Sequence, residues 1–284
     1  MNAFKTPPLA TLAIVLGIGI AAQAGPTVQD FDNAGTNYGT FGNASAPVAG
    51  GPTGNFGRLT PALNSQFGRI AFDQAETQTA SSPLTTGISG HFDFRAIPTA
   101  EGSNQADGFS LYLIPTSGGS GQGTTGDFTI QDTAEHGRIN GGLGFGFNDH
   151  QGGGDLSNNS IYLDFNNNAF VQQVNAPFDF STSDFHRALF NIDYVTGGAN
   201  VSLSLIQDIN GAANGPQAVF SGVFIPGLNP YDYRVGFAGR TGGQNADHQI
   251  DNILVETVFL PEPTTAVLGL LSVAGLALRR RRTS

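Results

Sequence analysis

No cysteine occurs in the 284 residues, and tryptophan is absent as well. That rules out a disulfide framework, a thiolate metal site and a thiol nucleophile. Charge is scarce, with only 12% of residues Asp, Glu, Lys or Arg, and the sole lysine is Lys5. Four of the twelve basic residues form one run, Arg279 to Arg282. Between residues 25 and 260, seven Arg stand against 21 acidic residues, a net charge of −14. A surface this negative repels phosphate backbones and anionic lipid, which excludes nucleic acid as a partner. Amphipathic helical windows are missing from the same span. So are the H-E-x-x-H and G-x-S-x-G patterns and the E-x-D-x-E strand of sandwich-type glucanases.

What is present begins with the two ends. Residues 1–24 combine Lys5, an apolar run from Leu9 to Ala22 and a small-x-small ending, Ala22-Gln23-Ala24. That is the layout of a signal peptide cleaved after Ala24. At the other end, Pro261-Glu262-Pro263 precedes an apolar stretch, 264–278, and then Arg279, Arg280, Arg281 and Arg282. As a helix the apolar stretch would span about 22 Å, short of the ~30 Å hydrocarbon core. The arginine cluster holds its end on the cytoplasmic side. This tripartite ending resembles the PEP-CTERM sorting signal of Gram-negative bacteria. The resemblance implies export, transient anchoring in the inner membrane, recognition by an exosortase-type processing enzyme, and delivery to the cell surface or an exopolysaccharide matrix.

Between the ends, apolar residues recur at every second position, the period of half-buried strands. Such sets are Ile88, Phe92, Phe94 and Ala96; Phe109, Leu111 and Leu113; Ala188, Phe190, Ile192 and Tyr194; Val201, Leu203 and Leu205; and Tyr233, Val235 and Phe237. Clusters of Gly, Pro, Asn and Asp separate them. Ten to twelve strands without crossover helices predict an all-β antiparallel sandwich. Its core volume would come largely from 22 phenylalanines. Residues 33–55, rich in Gly, Ala, Asn and Pro, read as a lead-in or long loop. "GQGTTG" (121–126) reads as a loop, and "DINGAANG" (208–215) as a turn between strands. The domain reading is therefore a signal peptide at 1–24, an N-terminal strand and Gly/Asn-rich lead-in at 25–64, a sandwich at 65–258 and a sorting signal at 259–284.

Three stretches, "QADGFSLYLIP", "INGGLGFGF" and "NSIYLDFNNN", come in an order and spacing that resemble the legume-type (L-type) lectins. "FGRIAF" and "ISGHFDFRAI" resemble that family's early strands, and residues 233–255 its closing strand, loop and strand. The resemblance implies a concanavalin A-like jelly roll that binds carbohydrate through loops at one end. It assigns Asp107 as the acceptor for sugar hydroxyls and Gly142 as a main-chain donor. Asp164 and Asn168 become calcium ligands, Asn168 also touching sugar, and Thr241 and Gly242 belong to a specificity loop. Tyr162 stands where the family has an acidic metal ligand, and Gln173 where it has a second aspartate. The function expected is that of an exported carbohydrate-binding protein without catalysis, taking a polysaccharide or glycan as partner and Ca2+ as its one candidate cofactor. The alternatives are an adhesive matrix protein that keeps the fold without a sugar site, and a glycoside hydrolase.

Overall fold

The computed structural model describes residues 26–32, 37–76, 85–99, 105–116, 133–152, 154–167, 170–211 and 214–259. The predicted signal peptide, residues 260–284 of the sorting signal and Asn168 lie outside these residues, as does the 121–126 loop.

The alternating segments form strands because each has one face to bury. In chain order they are β1 (Thr27–Gln29), β2 (Tyr38–Gly42), β3 (Ser45–Ala49), β4 (Asn55–Thr60), β5 (Phe67–Glu76), β6 (Thr85–Pro98), β7 (Gly108–Pro115), β8 (Leu143–Asn148), β9 (Ser160–Phe165), β10 (Gln172–Asn175), β11 (His186–Val195), β12 (Gly198–Ile206), β13 (Gln217–Pro226), β14 (Tyr233–Arg240) and β15 (Ala246–Phe259). One helical turn, α1 (Thr133–His136), lies between β7 and β8. The strands make two antiparallel sheets. One runs β13-β12-β11-β6-β15-β4-β3, with β1 added along β15; the other runs β10-β9-β8-β7-β14-β5-β2. The all-β sandwich expected from the sequence is therefore what the chain forms, and 208–211 is the turn expected after β12.

Phenylalanines join the two sheets. Phe92 and Phe94 of the eight-stranded sheet meet Phe109, Phe147 and Phe237 of the seven-stranded one, with ring centroids 5.0 to 5.7 Å apart. Phe109 and Phe147 stack in parallel at 4.7 Å. Every apolar set named above has its predicted face in this core.

The stretch 33–55 departs from its reading as lead-in or loop. β2 and β3 lie within it, and β1 to β4 contribute to both sheets. The sequence concealed this because β2 and β3 are edge strands of five residues with half-exposed side chains. Their apolar residues are too few to mark a face.

β7 and β8 are buried on both faces. Their outer face carries a second small core, in which Tyr112, Ile114 and Ala238 are covered by Ala134 and Ile139. Two glycines make that cover possible. A Cβ on Gly144 would come 1.9 Å from the carbonyl oxygen of Gly137, and one on Gly146 would come 2.4 Å from that of Glu135. The "GLGFG" spacing thus lets the backbone of 135–137 rest directly on β8. Among the described residues no helix is long and apolar enough to cross a membrane.

Candidate functional site

The 133–140 segment, held on the sheet by Gly144 and Gly146, roofs one side of a cavity of about 560 Å3. Asp107, Arg240 and Gly242 line one part of it; Glu135, His136, Arg138, Asp155 and Phe170 line another. The cavity opens on the face of the seven-stranded sheet that points away from the main core.

Asp107 sits just ahead of β7, after a cis Ala106–Asp107 peptide. Its main-chain N–H donates to Arg240 O at 2.9 Å, which fastens it to the end of β14. Arg240 Nε donates to Asp107 Oδ2 at 2.5 Å and lies 3.5 Å from Glu135 Oε2. The guanidinium bridges the two carboxylates and fixes the direction of Asp107. Gly242 leaves room beside it, since a Cβ there would stand 2.9 Å from Asp107 Oδ1.

The roof residues are linked through His136. Its Nε2 is 3.3 Å from Asp155 Oδ1 and 3.6 Å from Glu135 Oε1. Asp155 in turn accepts from Tyr162 Oη at 2.7 Å. Burial and the Asp155 carboxylate both push the Tyr162 phenol well up, so it stays a neutral donor. Gln173 Nε2 donates to the same oxygen at 2.8 Å. Tyr162 and Gln173, the two departures from the lectin pattern, are therefore a directly bonded cross-strand pair. Arg138 stands 4.3 Å above the ring of Phe170, a cation–π geometry.

Of the residues singled out from the sequence, Asp107 and Gly242 come together at the cavity. Thr241 does not line it: its hydroxyl donates to Leu63 O at 2.6 Å and accepts from Gln66 N at 2.9 Å. Gly142 stands at the opposite end of the β7–β8 ladder from Asp107, because Gly108 pairs with Asn148 and Leu113 with Leu143. Each lies one residue beyond these pairs, so seven residue steps place them roughly 23 Å apart. The N–H of Gly142 is used on Ile139 O. The 142 turn does meet the 164–167 turn, since Asn166 N donates to Gly142 O at 2.9 Å, but Asp107 stands apart from both, so the convergence of all three implied by the lectin resemblance is not formed among the described residues. An antiparallel hairpin puts the start of one strand beside the end of the next.

Asp164 faces the cavity side from β9, fully buried, with the Phe170 main chain and Arg138 as its polar neighbours. Burial pushes its carboxyl up to about 6, while Arg138 nearby pulls the other way. Arg138 Nε is 3.7 Å from Asp164 Oδ2, so a cation already stands where calcium was expected. Among the described residues no three His, Asp or Glu side chains group as metal ligands. Of the two expected ligands only Asp164 is among the described residues, and beside Arg138 it does not by itself fit a calcium ion.

Sequence reasoning missed Arg240, Arg138, Asp155 and Phe170. They come from separate segments, each with ordinary spacing, and only the α1 segment lying over β8 assembles them.

No protein-family model matches the chain, and no curated protein matches it. Solved structures do. The seed lectin of Lotus tetragonolobus superposes with a TM-score of 0.59 at 14% identity, covering 83% of this chain and 99% of that one. The lectin of Bauhinia forficata in complex with GalNAc gives 0.57 at 17% identity, covering 82% and 98%. The exoplasmic/lumenal domain of VIP36, in a form bound to Ca2+ and Man2, gives 0.52 at 15% identity, covering 85% and 90%. At such identities the likeness establishes the fold, a concanavalin A-like sandwich of the legume-lectin kind.

Proposed function

We propose that this chain is an exported carbohydrate-binding protein and that the cavity between Asp107 and the 133–140 segment is its sugar site. The observation that carries the reading is the Asp107–Arg240–Gly242 corner. A carboxylate is locked in direction by a guanidinium, with a side-chain-free residue beside it, at the mouth of a cavity large enough for one or two sugar rings. Fixed acceptors and donors suit hydroxyl-rich ligands, whose affinity is modest because each bond replaces one to water. The fold supports the reading, since neighbours of the same architecture hold GalNAc and mannose. Binding here rests on Asp107, Arg240 and Glu135 rather than on a calcium ion at Asp164, where Arg138 takes the cation's place.

The two ends give this function its place. The signal peptide exports the chain. The Pro261–Pro263 motif, apolar stretch and arginine cluster anchor it briefly, until an exosortase-type enzyme releases it to the surface or to an exopolysaccharide matrix, where the glycan partner lies.

A glycan array probed with the full chain tests the sugar site. Asp107→Ala and Arg240→Ala should each weaken binding tenfold or more, since the first removes the charged acceptor and the second the guanidinium that fixes its direction. Asp164→Asn should leave it unchanged. Binding indifferent to Asp107 and Arg240 would move the ligand elsewhere and favour an adhesive role for the fold. Release of reducing ends from a bound polysaccharide would instead make Glu135 and Asp155 hydrolytic carboxyls.

A further inference from the structure

A second feature lies on the other sheet. β15 changes neighbours along its length: it pairs with β4 as far as Ile250 and with β1 from Ile253 onward. The residues between, Asp251 and Asn252, form a bulge, with Asn252 at φ +44°. Two further pieces of chain converge on it, Asp30–Asp32 leaving β1 and Gly51–Asn55 entering β4.

Asp251 is fully buried at the bottom of this junction. Its Oδ1 accepts from Asn252 N at 2.8 Å, but Oδ2 meets no hydrogen-bond partner. Around it stand Asp30, Asp32 and Asp93, three more acids whose fields all oppose its ionisation. Asp93 is neutralised by Arg187, whose Nε and Nη2 donate at 2.6 and 2.9 Å, and it also holds the Asn252 amide at 2.8 Å. Among the described residues Asp251 has no such ion pair, and burial first, then the neighbouring acids, push its carboxyl up to about 7. Oxygen crowds the same spot. A Cβ on Gly51 would lie 2.8 Å from Asp251 Oδ2 and 2.5 Å from Asn55 O. Asp32 is tied to this turn by accepting from Asn55 N at 2.7 Å.

We propose that the Asp251 bulge is a site for a divalent cation of the calcium type, held by the carboxylates of Asp251 and Asp32 with main-chain oxygen from the Gly51–Asn55 turn. An all-oxygen ligand set that mixes carboxylate and carbonyl suits a hard ion. Since no three acidic side chains form a ready cage among the described residues, the turn must supply the remaining ligands. The ion ties β1, β4 and β15 together at the point where their hydrogen-bonded ladder is interrupted. The site does not depend on the sugar reading and lies on the opposite sheet.

Thermal unfolding of the full chain, first with chelator and then across a CaCl2 series with MgCl2 as comparison, tests it. Tm should rise with the logarithm of calcium concentration, as mass action requires of a ligand that binds only the folded state. Asp251→Asn should abolish the rise and, in chelator, match or exceed the wild-type Tm. Asp164→Asn should keep the rise, which separates this site from the cavity. Should Asp251→Asn fail to fold, Asp32→Asn, on the surface, should still weaken calcium binding at least tenfold by calorimetry. No calcium response in the wild type, a response retained by Asp251→Asn or Asp32→Asn, or one lost with Asp164→Asn would overturn the proposal.

Discussion

Asp164 and Asp251 show how the same residue type, equally buried, can meet opposite surroundings. Asp164 lies under Arg138, whereas Asp251 lies among other acids. The carboxyl of Asp164 is raised to about 6 chiefly by desolvation. A raised carboxyl favours the folded state fully at acid pH, and that advantage fades as pH climbs through the folded value. Relative to wild type, Asp164→Asn should therefore gain stability as pH moves from 5 to 8, read from paired urea melts at several pH values. A difference independent of pH would show that Asp164 is already ionised at pH 5 in the folded chain. His186, also buried, is shifted the other way: desolvation lowers its imidazole. Its cost appears as pH falls through the ordinary histidine range, so His186→Gln should blunt acid unfolding between pH 7 and 5.

Among the elements, β8 decides whether the cavity exists. Its inward residues, Leu143, Phe145 and Phe147, belong to the main core, and its outward ones are Gly144 and Gly146, on which the 135–137 backbone lies. Gly144→Ala would set a methyl 1.9 Å from the Gly137 carbonyl, a clash with backbone that cannot rotate away. We expect it to cost about 1–3 kcal/mol and to lift the roof. Sugar binding should then fall while the far-ultraviolet spectrum of the sheets stays the same. Phe147→Ala on the inner face is a different lesion. It removes a ring that touches Phe92, Phe94 and Phe109, and should cost about 3–5 kcal/mol in a denaturant melt. The pair of variants separates loss of the site from loss of the core.

For the whole molecule, closure of both sheets depends on the first 60 residues. β2 completes the seven-stranded sheet, while β1 and β4 flank β15. A chain beginning at residue 61 would expose one side of β5 and of β15, and should give no cooperative thermal transition; a sharp one would mean that 65–258 folds alone. The sequence by itself determined the class of fold. Period-two apolar sets on β6, β7, β11, β12 and β14 leave one face to bury, and a sandwich buries it. The resemblance to L-type lectins also brought Asp107 and Gly242 into view, because the stretches that carry it, a strand start and a glycine-rich loop, are local. Only the tertiary structure decided the rest. Where Gly142 falls relative to Asp107 depends on hairpin direction, which spacing along the chain does not reveal. Arg240, Glu135, His136 and Asp155 share a cavity only because 133–140 folds back over β8. The isolation of Asp251 arises where β15 exchanges one partner for another. Hydrophobic pattern is written residue by residue, whereas the field at a buried charge is a sum over segments that meet only after folding.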